Sequence, residues 1–158
     1  MPTTMKKVVK IKKNKDFTTS FVVDQTPAEA FAAVVNVRAW WAEYIKGGTA
    51  KKGDEFTFSY PEMHYSQHKL TQVIPNKKVV WLCTESKLTF IKDQTEWEGT
   101  ECVFEITPKG KKTEVKFTHK DLVPGMECYK ACSGGWTYYI QDSLKKLIET
   151  GKGQPEKK

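Results

Sequence analysis

The three histidines of this chain, His64, His68 and His119, are its clearest candidates for acid–base or metal chemistry. His119 ends a strand-like stretch on the face that we expect to be buried. There it could orient a ligand or exchange a proton near neutral pH. The alternative is a structural histidine that hydrogen-bonds to nearby backbone. His64 and His68 are four residues apart in a stretch of extended pattern, so their backbones should be roughly 13 Å apart. That separation disfavours a shared metal ion.

Cys83, Cys102, Cys128 and Cys132 are the only cysteines of the chain. The N-terminal stretch has lysines but no apolar core of a secretory signal, which favours free thiols over disulfides. Cys128 and Cys132 are four apart on a predicted helix, so both could face one partner. A metal site would need further ligands close by. We therefore expect buried structural thiols and no metal or other cofactor.

Sequence motifs of the well-known enzyme classes are missing. The nucleophile elbow, the zinc-protease helix motif and the glycine-rich nucleotide-binding loops do not occur. Glu96, Glu98 and Glu101 cluster beside Trp97, and this pattern is typical of a solvent-exposed loop. A catalytic role would depend on His119, so we expect a protein that is not an enzyme.

Aromatic side chains are abundant, with five Trp, eight Phe and six Tyr. They exceed what a small sheet and one helix need for a core, which predicts a cavity that some of them line. Tyr129 and Tyr139 could present hydroxyl groups to it. The candidate cavity residues are Trp40, Trp41, Phe56, Phe58, Trp81, Cys83, Phe104, Phe117, His119, Tyr129, Trp136, Tyr139 and Ile140.

Charge and length limit the protein class. A chain of 158 residues is expected to form one domain. Its net charge of +7 suggests nucleic acid, but Arg38 is the only arginine, and arginine is the usual reader of bases and phosphates. The excess lysines lie mainly in residues 1–15, predicted to be a basic tail or irregular strand, and in residues 152–158, predicted to be a flexible tail. We expect no specific nucleic-acid partner, no membrane insertion and a cytoplasmic location.

The elements that must position these residues follow from the hydrophobic pattern. Strand-like alternation dominates the middle of the chain. Thr26, Pro27 and Glu29 indicate a helix start, so we predict short helices over residues 28–35 and 37–44. Strands are predicted over residues 16–23, 54–60, 65–74, 78–84, 88–91, 100–107 and 113–119.

The last long segment, residues 126–151, changes to a helical period and carries one apolar stripe. That stripe must be buried on the sheet, which predicts an α+β fold with a curved antiparallel sheet around a long C-terminal helix. Gly151 is placed to end the helix. Gly134 and Gly135 either allow a close approach or kink that shapes a cavity, or mark a helix that begins only near Gly135.

Five segments in this order resemble a known family. They are residues 24–31 with Trp40-Trp41, residues 73–81, 99–105 and 113–119, and, in the last helix, Gly135-Trp136-Thr137 with Leu144, Leu147 and Gly151. The chain resembles the START-like, or SRPBCC, helix-grip superfamily, and is similar to the family named after the activator of heat-shock protein 90 ATPase. The resemblance covers residues 16–151 as a single START-like domain.

The resemblance implies a helix-grip fold with six to seven strands, two short helices after the first strand, and a cavity. Members of the superfamily include lipid and hormone binders, cyclases and chaperone regulators, so fold alone does not select a function. Binding of a small hydrophobic molecule without catalysis is our first hypothesis. The alternatives are a module that regulates a chaperone ATPase and a cyclase- or hydrolase-type enzyme that uses His119. The protein could be a monomer or a homodimer.

Overall fold

The computed structural model of the protein describes residues 16–60 and 64–157. The predicted N-terminal tail therefore lies outside the described residues. Seven strands form one antiparallel sheet in the order β1-β7-β6-β5-β4-β3-β2. The strands are β1 Phe17–Val23, β2 Lys46–Gly47, β3 Glu55–Tyr60, β4 His64–Ile74, β5 Lys78–Leu88, β6 Glu101–Lys109 and β7 Lys112–Lys120.

The first helix, α1, spans Pro27–Val35 and begins as the sequence predicts. The Thr26 hydroxyl accepts a hydrogen bond from the Glu29 backbone, and the Glu29 carboxylate accepts one from the Thr26 backbone. This reciprocal capping box satisfies amide groups that the helix leaves unpaired. The predicted second helix is shorter than expected, a single 3₁₀ turn at Val37–Ala39. Turns carry the chain from there to β2.

Arg38 stabilises β2 and the residue before it through two hydrogen bonds. Its guanidinium donates to the carbonyl oxygens of Ile45, at 2.8 Å, and Gly47, at 2.6 Å. The only arginine of the chain therefore serves a structural role in the segment between α1 and the sheet.

Six of the seven predicted strands form, and β2, Lys46–Gly47, was not predicted. The predicted strand over residues 88–91 does not form, because Leu88 completes β5 by pairing with His64 and turns follow it. Along β7, buried Val115, Phe117 and His119 alternate with more exposed side chains, as expected for a sheet with one solvated face.

The C-terminal helix crosses the inner face of the sheet. It consists of α-helix Tyr129–Thr137, π-helix Tyr138–Leu144 and α-helix Lys145–Thr150 in direct succession. Gly151 ends it in the left-handed conformation, with φ 86°. The buried stripe that faces the sheet is Cys132, Trp136, Ile140, Leu144 and Ile148. This is the helix-grip arrangement that the sequence predicts.

The segment after the helix differs from the predicted flexible tail. The Gln154 backbone donates to the Ser143 hydroxyl at 2.8 Å, and that hydroxyl donates to the Trp40 carbonyl at 2.7 Å. Glu156 pairs with the other side of the fold: its amide donates to the Trp41 carbonyl, and its carbonyl accepts from the Glu43 amide. A lysine-rich composition predicts solvation, but these backbone hydrogen bonds bind the segment to the domain.

No helix within the described part of the chain has the length and apolar character that crossing a bilayer requires.

Candidate functional site

The candidate site is an open cavity of about 260 Å³ between the first half of the C-terminal helix and the sheet. The β3–β4 end of the sheet, the β5–β6 loop and the C-terminal segment complete its walls. Among the described residues its lining consists of Trp41, Phe58, Tyr60, His64, Phe90, Trp97, Ala131, Cys132, Gly135, Trp136, Tyr139 and Glu156.

The floor and the mouth of this cavity differ in exposure. Trp41, Trp97 and Trp136 are almost fully buried and form the floor. Tyr60 and Phe90 lie at the mouth and are 42% and 37% exposed. Such a concave aromatic surface is the usual form of a small-molecule site.

Four of the predicted cavity residues line it: Trp41, Phe58, Trp136 and Tyr139. Trp41 and Phe58 stack with ring centroids 4.2 Å apart, and Trp41 lies 5.0 Å from Trp136. These contacts join the sheet, the segment after α1 and the helix around one space.

The other predicted residues do not line the cavity. Most belong to the closed core behind it, where their rings fill space by packing on each other: Trp81 lies 4.9 Å from Phe104, and Phe104 lies 5.0 Å from Phe117. Alternation identifies an inward-facing side chain but not whether the helix covers it. The predicted residues outside the lining are Trp40, Phe56, Trp81, Cys83, Phe104, Phe117, His119, Tyr129 and Ile140.

Trp97 is a site residue that the sequence reasoning missed. Hydrogen bonds hold the acidic loop before and after Trp97. The Glu96 carboxylate accepts one from the Cys128 amide, and the Gly99 amide donates one to the Cys83 carbonyl. Trp97 is consequently 3% exposed, so the interpretation of this stretch as a solvent-exposed loop does not hold for its aromatic residue. A lone tryptophan within a charged stretch is the signal that could have indicated it.

His119 contacts Trp97 with 4.8 Å between ring centroids, and both of its ring nitrogens are hydrogen-bonded. The Trp136 indole donates to Nδ1 at 3.0 Å. Nε2 is therefore the protonated nitrogen, and it donates to the Thr100 hydroxyl at 2.8 Å. That hydroxyl donates onward to the Trp97 carbonyl. Burial lowers the pKa of His119 to about 3.

These contacts separate the two interpretations of His119. The ring is fully buried, neutral and bonded at both nitrogens, so it presents no free atom to the cavity. It is structural, although its partners are two side chains rather than the backbone that we expected.

His64 and His68 also contact Trp97, with ring centroids 4.6 Å and 6.2 Å away, and they share one hydroxyl. The Nε2 atoms of His64 and His68 lie 3.0 Å and 2.9 Å from the Ser66 Oγ. The spacing of roughly 13 Å for an extended strand applies to the backbone, but residues 64, 66 and 68 share one face and their side chains converge. His68 Nδ1 is buried and has no hydrogen-bond partner in the described structure.

The rings of His64 and His68 are also neutral. Burial lowers the pKa of His64 to about 3, and burial together with the neighbouring histidines lowers the pKa of His68 well below its ordinary value. Among the described residues no group of three or more His, Cys, Asp or Glu is arranged to hold a metal ion.

The four thiols are free and buried. A hydrogen bond with Cys132, with burial second, raises the pKa of Cys128, and burial raises the pKa of Cys83 to about 12. Cys132 contributes to the cavity wall, one helical turn before Trp136. The raised pKa values make Cys83 and Cys128 poor nucleophiles, and the burial of all four thiols agrees with the structural cysteines that the sequence predicts.

Gly134 and Gly135 both lie inside the α-helical segment Tyr129–Thr137, so the expectation that the helix begins near Gly135 is wrong. A methyl group added at Gly134 would meet nothing within 4 Å, and one at Gly135 would meet only the Tyr139 ring at 3.9 Å. No close backbone approach requires either glycine. At Gly135 the missing side chain instead leaves space in the cavity.

Solved structures with the same fold support the architecture. The Aha1 dimer of Colwellia psychrerythraea is 24% identical, with a TM-score of 0.71 over 88% of this chain and 99% of that one. Protein SSP2350 of Staphylococcus saprophyticus is 19% identical, with a TM-score of 0.63 over 89% and 96%. Mll3558 of Rhizobium loti is 17% identical, with a TM-score of 0.63 over 85% and 96%. At these identities the similarity shows the fold alone.

No curated protein sequence is significantly similar to the chain. A family model, in contrast, matches residues 26–149, which include α1, the sheet from β2 to β7 and nearly all of the C-terminal helix. That match extends over well more than half of the chain and agrees with the resemblance seen in the sequence. The chain belongs to the family described as Activator of Hsp90 ATPase homolog 1-like protein.

Proposed function

We propose that the protein binds a small, mostly apolar molecule in the cavity between its C-terminal helix and its sheet, and does not transform it. The observation that carries the proposal is the cavity of about 260 Å³, with an aromatic floor and with Tyr60 and Phe90 exposed at its mouth. A ligand in that space would cover aromatic surface that is otherwise in contact with water.

The volume limits the size of the ligand. An apolar cavity of roughly 150 Å³ can hold benzene, so the space here suits a molecule of one or two rings. A bulky lipid would not fit without rearrangement of the helix or the loops.

Neither His119 nor the thiols of Cys83 and Cys128 are available for catalysis. His119 is bonded at both nitrogens, and the thiol pKa values of Cys83 and Cys128 are raised. A general acid or base needs a free position within hydrogen-bond reach of the substrate. His119 has none, so the enzyme hypothesis loses the residue on which it depended.

Calorimetric titration with 1-naphthol, a neutral two-ring molecule, tests the proposal. We expect saturable binding with a negative heat-capacity change, which marks the burial of apolar surface. Ala131→Leu fills the mouth from an exposed helical position and should weaken binding at least about tenfold. Ala32→Leu, at an exposed position of α1 away from the cavity, is the matched control and should bind as wild type.

Two results would overturn the proposal. One is the absence of saturable binding by folded wild-type protein, and the other is unchanged affinity in Ala131→Leu. Circular dichroism of each variant establishes that the protein is folded before titration.

The family description favours a second candidate, regulation of a chaperone ATPase. The steady-state ATPase rate of an Hsp90-type chaperone, measured with and without the protein, tests it. A change in rate that Ala131→Leu retains would support a surface interaction that is independent of the cavity, whereas an unchanged rate would exclude this candidate.

A further inference from the structure

The charge of the cavity wall is opposite in sign to that of the whole chain. The chain has 26 basic residues and a net charge of +7. Among the described residues that line the cavity, however, none is a lysine or an arginine, and one is the acidic Glu156. The wall therefore combines aromatic faces with a single negative charge.

Glu156 is held in place rather than free in solvent. Its backbone is bonded to Trp41 and Glu43, and its carboxylate accepts the Tyr139 hydroxyl at 2.8 Å. No ion pair between Glu156 and a lysine or arginine occurs within residues 16–60 and 64–157. The hydroxyl occupies one lone-pair position of the carboxylate, so others are left for a ligand.

The field of this carboxylate reaches the neighbouring tyrosines. Burial is the main cause that raises the pKa of Tyr139 and of Tyr44, and Glu156 raises both further. His64, a wall residue at the start of β4, is neutral because burial lowers its pKa to about 3. No positive group of the described wall thus opposes a bound cation.

The aromatic rings enclose the space from different directions. Trp97 and Trp136 lie nearly parallel at 6.0 Å, whereas Tyr139 meets Trp136 edge to face at 6.4 Å and meets Trp41 in the same way at 6.3 Å. A set of aromatic faces around one small volume is the form in which proteins bind alkylammonium groups, because each ring face carries negative electrostatic potential.

We propose that the ligand of the cavity is a small organic cation, a quaternary or protonated amine on an apolar body, held by the aromatic rings and the Glu156 carboxylate. This inference rests on the proposed function, since it names the chemical class of the molecule that the cavity takes. The apolar body would lie on the tryptophan floor, and the ammonium group would face Glu156.

Two probes of equal shape separate the charge from the apolar surface. They are 4-(hydroxymethyl)phenyltrimethylammonium and 4-tert-butylbenzyl alcohol, in which a quaternary nitrogen replaces a quaternary carbon. Titration is followed by nuclear magnetic resonance of the indole N–H groups, since three of the five tryptophans line the cavity. We expect the cation to bind about tenfold more tightly than the alcohol.

Glu156→Gln tests the role of the carboxylate. It should remove most of the preference for the cation, measured as the ratio of the affinities for the two probes. Glu149→Gln, at an exposed position of the C-terminal helix outside the cavity, changes the net charge equally and should keep the preference. Added salt should weaken binding of the cation only.

The outcomes distinguish the two proposals. If the alcohol binds as tightly as the cation, or if Glu156→Gln keeps the preference, the cation inference is wrong and the apolar cavity remains. If neither probe binds to folded protein, and 1-naphthol does not bind either, the proposed function itself fails.

Discussion

Two groups of polar side chains contact Trp97, and they differ in how completely their hydrogen-bonding atoms are paired. In the first group, His119 is bonded to Trp136 and Thr100. In the second group, His64 and His68 share the single hydroxyl of Ser66, and the second nitrogen of His68 has no partner in the described structure. Trp97 contacts both groups, 4.8 Å from His119 and 4.6 Å from His64.

This difference in hydrogen bonding indicates which side of the cavity is rigid. A chain of hydrogen bonds in which every buried atom is paired specifies one arrangement and is costly to disturb. A group with an unpaired buried nitrogen already carries a desolvation cost. A substitution there should therefore lower the free energy of unfolding by less. We infer that the His119 side supports the site and that the His64 side tolerates change around a ligand.

The largest expected effect concerns all three histidines together. Their pKa values in the folded protein are lowered, to about 3 for His64 and His119 and well below the ordinary value for His68. In the unfolded chain each should titrate near its ordinary pKa of about 6.5. Below that pH the unfolded state therefore binds protons that the folded state does not, and stability falls as pH falls.

Each such histidine contributes about 1.4 kcal/mol per pH unit, so the free energy of unfolding should drop by roughly 4 kcal/mol between about pH 7 and pH 5.5. Urea unfolding at both pH values measures this drop. His68→Leu should remove about a third of it. A stability that is constant over this range would show that the rings are not held neutral.

The next prediction concerns His119, whose two ring nitrogens are both hydrogen-bonded. His119→Leu keeps a similar volume but removes the acceptor of the Trp136 indole and the donor to Thr100, which leaves a buried N–H unpaired. We expect a loss of about 2–4 kcal/mol in the free energy of unfolding. Urea unfolding at neutral pH measures it, and a loss below about 1 kcal/mol would contradict the role given to this chain of hydrogen bonds.

The same substitution on the other side should cost much less. His68→Leu removes one hydrogen bond to Ser66, which keeps its bond to His64, and it also removes the unpaired nitrogen. We expect a change of no more than about 1 kcal/mol at neutral pH, by the same urea measurement. Equal losses in the two variants would remove the distinction between the two sides.

The smallest effects concern the helix that closes the cavity. Gly134→Ala and Gly135→Ala should each stabilise the protein by up to about 1 kcal/mol, because a methyl group fits at both positions. Only Gly135 lines the cavity, so only Gly135→Ala should weaken 1-naphthol binding. Thermal unfolding and calorimetry measure the two effects. Weaker binding in Gly134→Ala would instead indicate that the curvature of the helix matters.

The fold could be predicted from the sequence because it depends on local patterns. Alternation along β7, the capping box at Thr26 and the change of period after Gly125 each indicate an element by themselves. The strand predicted over residues 88–91 failed because four apolar-rich residues cannot show where a preceding strand ends.

The site was less predictable because it depends on which inward-facing residues the helix leaves uncovered. Trp41 and Trp81 both face inward, but only Trp41 lines the cavity. His64 and His68 meet because alternate residues share a face of β4, a signal visible in the sequence although it was not used. Glu156 could not be inferred, since only tertiary contacts bring it to the wall.

The bound C-terminal segment has a practical consequence for the boundaries of the domain. The family match ends at residue 149, and the helix ends at Thr150. A shortened protein cut at either point would still contain the seven described strands and all but at most one residue of the C-terminal helix, but it would lack the hydrogen bonds to Trp41 and Ser143 and the carboxylate beside Tyr139. Ligand screens with such a shortened protein would sample a wider opening without the Glu156 carboxylate.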